Sequence, residues 1–156
     1  MPDTAGARIA AALAAAADPS RVPAGAVAPH AVGWATVDMD RALLDLAGDL
    51  GIAPEAFADG VACRALGARC RVVEDSLPGG LSLAILEPAT EGRLAATLAR
   101  LGEGPAVVWY TTDEASDAGP IPWRPGPFGL ERHVPGDPVH GPHRLLIRPG
   151  AGTIAL

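Results

Sequence analysis

Few side chains in this sequence could carry a proton to or from a substrate. His30, Glu74, His133 and His143 are our acid/base candidates, because an imidazole titrates near neutrality and burial raises the pKa of a carboxyl group towards it. Glu87 and Glu103 are explained more simply as a helix cap and a solvent-facing residue. No serine stands in a Gly-x-Ser-x-Gly motif, so the sequence gives no support to a hydrolase of that type.

Three histidines lie close together in the segment HVPGDPVHGPH. His133, His140 and His143 are of a residue type that binds zinc or iron. The prolines and glycines between them give the three imidazoles no common face. We therefore expect solvated or singly functional histidines here, with a three-histidine metal site as the alternative, and we predict no metal in the main site and no other cofactor.

The charged residues exclude several classes of partner and reaction. The chain of 156 residues has a net charge of −6, and its twelve positive residues, all arginine, are scattered along it. Binding to nucleic acid or to an anionic membrane needs clustered positive side chains, so we expect neither partner. Because the chain has no lysine, Schiff-base chemistry and a lysine-containing phosphate loop are excluded.

The cysteines and the N-terminal segment indicate the compartment. Cys63 and Cys70 show neither the spacing of a redox pair nor a secretory context, so we expect two free thiols. Residues 1–17 are rich in alanine, but they lack a basic start and are too short and too weakly apolar to span a bilayer. These features predict a cytoplasmic protein.

The spacing of apolar residues predicts alternating helices and strands. Helices are predicted over 6–17, over 39–50 between an Asp38 N-cap and Gly51, and over the run that Thr90 caps and Gly102 ends. Strands are predicted at 31–37, 68–74, 81–86, 106–112, 143–148 and 153–156, with a hairpin loop at 75–80. This order predicts an α/β or α+β fold with helices on one face of a sheet.

Three stretches, taken in order, resemble a known family. They are the run VGWATVDMD at 32–40, the run LAILEP at 83–88, and the helix that ends in GEG at 102–104 before the next strand. Their order and spacing over about 31–112 are similar to methylmalonyl-CoA epimerase and its relatives in the vicinal-oxygen-chelate (glyoxalase/bleomycin-resistance) superfamily. The resemblance implies an α+β fold whose paired βαβββ modules form a curved sheet around a cavity, commonly completed in a homodimer.

The same resemblance sets the expected domain organisation. Residues 1–29 form an N-terminal helix and linker arm, which either braces the domain or crosses to a partner subunit. Residues 30–156 form a single domain, with modules at about 30–104 and 105–156.

Metal-using members of that superfamily place four ligands in the cavity. The corresponding positions here are Ala31, Ala84, Val107 and Ala155, whose side chains carry no donor atom. His30 lies one residue before the first position, and because side chains alternate along a strand we expect it on the opposite face. The resemblance therefore implies a site without metal.

Aromatic residues are the best candidates for lining such a cavity. Trp109 shares a strand face with Val107, so it either lines an apolar pocket or fills the core. Trp123, Arg124 and Phe128 lie on an extended segment, which is either a pocket wall or a surface loop anchored by aromatics.

Cys70 is a further catalytic candidate, and it rests on the resemblance. It lies on the strand where the epimerases carry an acid/base carboxylate, and Glu74 is the other contender on that strand.

Together these observations favour a cofactor-free enzyme acting on a small organic molecule. We expect an isomerisation, cyclisation or lyase-type step in specialised-metabolite biosynthesis, driven by positioning and proton transfer. The alternative is a non-catalytic protein that binds an antibiotic and so confers self-resistance. A third interpretation is a structural or regulatory domain without a ligand.

Overall fold

The computed structural model describes residues 4–113, 121–134 and 142–148. Within them lie three helices, α1 (Ala5–Ala16), α2 (Met39–Leu50) and α3 (Arg93–Leu101). The eight strands are β1 (Ala26–Ala35), β2 (Ala58–Cys63), β3 (Ala68–Leu77), β4 (Leu81–Pro88), β5 (Gly104–Thr112), β6 (Arg124–Gly126), β7 (Gly129–His133) and β8 (His143–Ile147). None of the three helices is long and apolar enough to cross a membrane.

All eight strands belong to one sheet, in the order β2-β3-β4-β1-β5-β8-β7-β6. β1 runs parallel to β4, β5 runs parallel to β8, and β1 and β5 meet antiparallel at the centre. The two edge strands approach each other, since a Cβ atom added at Gly60 of β2 would lie 3.7 Å from Cβ of Pro127 beside β6. The sheet is therefore curled until it is nearly closed, as the predicted α+β fold requires.

Strand alternation gives this sheet two different faces. The inner face is the concave side, and on β1 it carries Ala31, Gly33 and Ala35. The outer face carries Val32 and Trp34 on the same strand. Both faces are buried, which explains why the central strands read as nearly continuous apolar runs.

Helix α2 covers the outer face of the first half of the sheet. Its predicted N-cap is confirmed, because the Asp38 carboxylate accepts from the backbone N–H of Arg41 at 3.2 Å. Gly51 ends the helix in the left-handed conformation, as predicted. The Glu87 carboxylate accepts from the N–H of Met39 at 2.9 Å, which fixes the start of α2 to the end of β4.

The end of α1 and the segment after it cover the outer face of the second half. Ala16 packs against Val108, Tyr110 and Leu146, and the Tyr110 hydroxyl donates to the carbonyl of Ala16 at 3.1 Å. The N-terminal segment thus packs against the outer face of β5 and β8 of its own sheet.

Several elements differ from their predicted bounds. β1 begins at Ala26 rather than at residue 31, and β3 continues to Leu77 through the first half of the predicted hairpin loop. Thr90 does not cap α3, whose N-cap is Gly92 without a capping side chain. β2, β6 and β7 were not predicted, and the strand predicted at 153–156 lies outside the described residues.

The inner face of β1 allows a direct test of how closely the interior is packed. A Cβ atom at Gly33 would lie 2.9 Å from Trp109 Cζ3 and 2.9 Å from Leu86 Cδ1. We expect Gly33→Ala to lower the free energy of unfolding by about 1–3 kcal/mol, because neither neighbour can withdraw from a filled core. Urea denaturation measures the change.

Gly48→Ala is the matched control. Gly48 lies in α2 with no atom within 4 Å of an added Cβ, so alanine there is expected to raise stability by up to about 1 kcal/mol. Equal effects of the two substitutions would contradict the packing described for the inner face.

Candidate functional site

Trp109 occupies the centre of the inner face. Its side chain is fully buried, and its indole lies across β1 at Gly33 and against Phe128, with a ring-centroid distance of 5.0 Å to the latter. Ala31 and Val107 are fully buried in the same apolar cluster. Small residues on β1 are needed here because the indole takes the volume that larger side chains would fill.

The burial of this cluster bears on the two interpretations of Trp109 that the sequence left open. Either Ala31, Ala84, Val107 and Trp109 line an apolar pocket, or the indole fills the core. All four are 0% exposed, so they form the floor of a filled interior rather than the walls of an empty one. The polar chemistry of the interior lies beside the indole instead.

Glu131 on β7 places a carboxyl group inside the sheet. It is only 1% exposed. Its Oε1 accepts from the Trp109 indole Nε1–H at 2.9 Å, and its Oε2 accepts from the Cys63 thiol at 2.9 Å. The backbone amide of Ala65 also donates to this carboxyl group. The segment 63–65, strand β5 and strand β7 are distant in the sequence, and they meet at this one carboxyl group.

The protonation of Glu131 is governed by burial. Removal from water raises the pKa of this carboxyl group above its ordinary value, while the bonds from Cys63, Trp109 and Ala65 work in the opposite direction. Burial dominates, and the pKa stays raised. A carboxyl group of this kind is suited to exchange a proton closer to neutrality than an exposed one.

Gly126 makes room for this carboxyl group. A Cβ atom at Gly126 would lie 2.0 Å from Glu131 Oε1, closer than any two such atoms can approach. Gly126 and Glu131 lie on the neighbouring strands β6 and β7. The β6–β7 hairpin can therefore hold the buried carboxyl group only with glycine at position 126.

A pair of rings lies over the buried indole. Phe128, half-buried in the turn between β6 and β7, contacts Trp109 on one side and His30 on the other, with ring-centroid distances of 5.0 and 5.3 Å. We call His30 and Phe128 the mouth residues, because they are the partly exposed rings next to the buried indole.

The position of His30 differs from the expectation. Pro29 pairs with Tyr110 and Ala31 pairs with Trp109, so His30 is an extra residue in a β-bulge. The bulge breaks strict alternation and brings the His30 ring to Phe128, on the side of the sheet that Trp109 occupies.

A second polar group joins α3 to the last two strands. His133 Nε2 lies 3.2 Å from His143 Nδ1, and His143 Nε2 lies 2.8 Å from Thr97 Oγ1. The Thr97 hydroxyl donates to the carbonyl of Arg93 at 2.9 Å, and Arg93 Nη1 lies 3.5 Å from His133 Nδ1. The four residues form a closed ring of contacts, here called the histidine ring.

In the histidine ring, which is the cycle of four residues and not a single imidazole, only one placement of the hydrogens gives every hydrogen bond one donor and one acceptor. Because the Thr97 hydroxyl gives its hydrogen to Arg93, its oxygen must accept from His143 Nε2–H. His143 Nδ1 then accepts from His133 Nε2–H, and His133 Nδ1 faces the guanidinium of Arg93. Both histidines are therefore neutral. Burial, followed by the charge of Arg93, lowers the pKa of His133 to about 4 and also lowers that of His143.

Comparison with known proteins identifies the architecture. No protein-family model matches the sequence, and no curated protein matches it at a significant level. Among solved structures, methylmalonyl-CoA epimerase from Mycobacterium tuberculosis superposes with a TM-score of 0.67 at 17% identity, over 85% of this chain and 94% of that one. The Streptomyces coelicolor epimerase in complex with 2-nitronate-propionyl-CoA gives 0.63 at 22% identity, over 81% and 96%.

A further structure, of methylmalonyl-CoA epimerase in complex with methylmalonyl-CoA and NH4+, gives a TM-score of 0.61 at 23% identity, over 79% of this chain and 94% of that one. This chain has the vicinal-oxygen-chelate fold. At these identities the likeness is one of fold, and the residues of the site must be judged on their own chemistry.

The vicinal-oxygen-chelate fold implies a metal centre, so we tested whether the residues present fit one. Ala31, Ala84 and Val107 carry only hydrocarbon, and Ala155 lies outside the described residues. Within the described ranges, no group of three or more histidine, cysteine or acidic side chains could hold a metal ion. These residues do not fit the metal centre of the fold.

Three other candidate residues lie away from Glu131 and the histidine ring. Trp123 packs on the outer face with Val108, Tyr110 and Leu146, and its indole lies under Arg132 at 4.5 Å, so it forms no part of an inner wall. Arg124, on the edge strand β6, and Glu74 are exposed. Cys70 is on the inner face, but its thiol donates to the carbonyl of Val61 at 3.0 Å.

Sequence reasoning missed the central acid and its partners. Glu131 stands in the run GLERH, which carries no alternating pattern, and Cys63 was taken as a free thiol without a role. The glycines of this segment offered one signal, because a glycine on one strand leaves room for a bulky side chain on the neighbouring strand.

Of the predicted acid/base residues, the structure brings His133 and His143 into the histidine ring and His30 to the mouth.

The neutral histidine ring predicts loss of stability in acid. The pKa of His133 is about 4 in the folded chain against 6.5 ordinarily, so the unfolded chain binds protons first as the pH falls. We expect the free energy of unfolding to fall by about 2–3 kcal/mol from about pH 7 to about pH 4, measured by urea denaturation. The charged groups that act on the two histidines are Arg93, Arg100 and Arg144.

His133→Phe and His30→Ala test the assignment. Glu131 acts in the opposite direction, because its raised pKa makes the folded chain bind a proton first, but this contribution is common to all the variants. His133→Phe should lose most of the acid sensitivity, and His30→Ala, at the mouth, should keep it. Unchanged acid sensitivity in His133→Phe would show that the ring is not the cause.

Proposed function

We propose that this chain is a metal-independent enzyme that moves a proton on a small organic molecule, with Glu131 as its acid/base residue. The observation that carries the proposal is the carboxyl group held inside the sheet by an indole, a thiol and a backbone amide, in space that Gly126 leaves open. A buried carboxyl group is costly to keep, and such groups concentrate at functional sites.

The chemistry needs no co-reactant. Ionised Glu131 takes a proton from the carbon next to a substrate carbonyl, leaving an enolate and a carboxylic acid. The acid then returns the same proton to another atom or to the other face of that carbon. Atoms and charge balance over the cycle, so one carboxyl group suffices for an isomerisation.

The reacting part of the substrate is uncharged in this proposal. The inner-face cluster consists of apolar side chains around Trp109, and no arginine belongs to it among the described residues. A substrate carboxylate would therefore face the Glu131 carboxyl group without a compensating cation. A neutral ketone, enone or thioester carbonyl avoids that repulsion.

Access to Glu131 passes the mouth residues. Phe128 covers the buried indole from a short turn with Gly126 and Gly129 at its ends, and Gly129 has a φ of 121°. We propose that the Phe128 ring moves aside to admit the substrate, whose apolar part then packs against Trp109.

Glu131→Gln tests this function. The amide keeps the size of the side chain and can still accept from the Trp109 indole, but it cannot take a proton. We expect the wild-type chain to catalyse exchange of hydrogen for deuterium next to the carbonyl in a panel of neutral ketones, enones and thioesters. The variant should lose about 10²–10⁴-fold of that rate, followed by proton NMR in deuterium oxide.

Glu74→Gln is the matched control, because it removes an exposed carboxyl group from the same fold. It should exchange at the wild-type rate. Exchange by Glu131→Gln at the wild-type rate, or loss confined to Glu74→Gln, would show that Glu131 is not the base.

A second candidate function is binding without turnover, as in antibiotic sequestration. The observation in its favour is the edge-to-face row of His30, Phe128 and Trp109, which offers aromatic surface beside the mouth. A planar aromatic ligand would then bind with an affinity that falls about tenfold in Phe128→Ala, by isothermal titration, and no product would form. Binding that Phe128→Ala leaves unchanged would exclude this site.

The homodimer, the cytoplasmic location and the place in specialised-metabolite biosynthesis stay predictions. So does the division into an arm at 1–29 and a domain at 30–156.

A further inference from the structure

We propose that Cys63 is a positioning residue for Glu131, and that its thiol fixes the exchangeable proton of this acid on Oε2. The inference rests on the proposed function for its role in turnover, but the arrangement of the proton can be measured without a substrate.

The partners of Glu131 differ in whether they can accept a hydrogen bond as well as donate one. An indole N–H and a backbone amide can donate a hydrogen bond but cannot accept one. The Trp109 indole lies against Oε1 at 2.9 Å, so that oxygen stays an acceptor in both protonation states. A proton on Oε1 would make that oxygen a weaker acceptor for the indole N–H, so the proton is carried more favourably on Oε2.

The thiol is different because sulfur both donates and accepts, although weakly. Cys63 Sγ lies 2.9 Å from Oε2. When Glu131 is ionised, the S–H group donates to Oε2. When Glu131 is protonated, the hydrogen on Oε2 points to the sulfur and the S–H group turns away. Of the three partners described, only Cys63 can donate to the ionised carboxylate and accept from the protonated acid.

The consequence concerns where a substrate must react. If Oε2 carries the proton, the substrate atom that gives or takes this proton must approach Oε2, the oxygen next to Cys63. Oε1 stays hydrogen-bonded to the indole. Cys63 itself does not take part as a nucleophile, because burial and the neighbouring carboxyl group raise the pKa of its thiol far above the ordinary range.

Cys70 provides a matched control within the same cluster. It is the other buried cysteine on the inner face, but its thiol donates to the backbone carbonyl of Val61 at 3.0 Å. Removing either thiol leaves a similar small cavity, so a difference between the two variants reports the contact with Glu131 and not the loss of volume.

The experiment follows the nitrogen resonance of the Trp109 indole during a pH titration, because this N–H group reports the ionisation of Glu131. Cys63→Ala removes a donor to the ionised form, so the pKa of Glu131 should rise by about one unit. Cys63→Ser should restore a value near that of wild type, since a hydroxyl group also donates and accepts. Cys70→Ala should match wild type.

An unshifted titration in Cys63→Ala, or an equal shift in Cys70→Ala, would overturn the inference. If Cys63→Ala does not fold, the infrared S–H band of Cys63 in Cys70→Ala decides. It should move to higher frequency as Glu131 takes up its proton, and a band that stays in place overturns the inference. Neither readout involves turnover, so failure of the proposed function, seen in Glu131→Gln, is distinguishable.

Discussion

The hydrogen bond between the Trp109 indole and the Glu131 carboxyl group constrains the whole interior. A carboxyl group buried without partners costs several kcal/mol, so the chain must bring donors to it. Those donors come from β5 and from the end of β2 with the turn that follows it, while the acid itself lies on β7. They meet only because the sheet is curled until its edge strands approach each other. Gly126 must also lack a side chain, since a Cβ atom there would overlap the acid.

The same indole explains the hydrocarbon lining of the inner face. A fully buried tryptophan needs space, and β1 supplies it at Gly33 beneath the ring, between the small residues Ala31 and Ala35. The small hydrocarbon side chains of this face thus have a packing reason. Buried polar side chains lie in two places, at the acid beside the indole and in the histidine ring under α3. The first suits proton transfer, and the second ties a helix to the sheet through neutral imidazoles.

The sequence predicted the frame better than the site. The Asp38 cap, the spacing from Met39 to Leu50 and the long apolar strands are local signals, and they gave the fold and the direction of Trp109. β2, β6 and β7 are short and lack alternation, so no local pattern marks them. Because Glu131 lies on β7, its meeting with Cys63 depends on closure of the sheet, which no single segment encodes. The predicted face for His30 was wrong because a bulge in β1, set by the pairing of β1 with β5, interrupts the alternation of side chains.

The Glu131 carboxyl group inside this sheet keeps its proton beyond the pH range in which exposed carboxyl groups lose theirs. Infrared spectroscopy detects that proton, because a protonated carboxyl group has a C=O stretching band that the ionised form lacks. We expect a band that persists above the pH at which exposed carboxyl groups ionise, about 4.3, and that is absent from Glu131→Gln. Loss of the band at that pH, or a band that remains in Glu131→Gln, would show that Glu131 does not hold a buried proton.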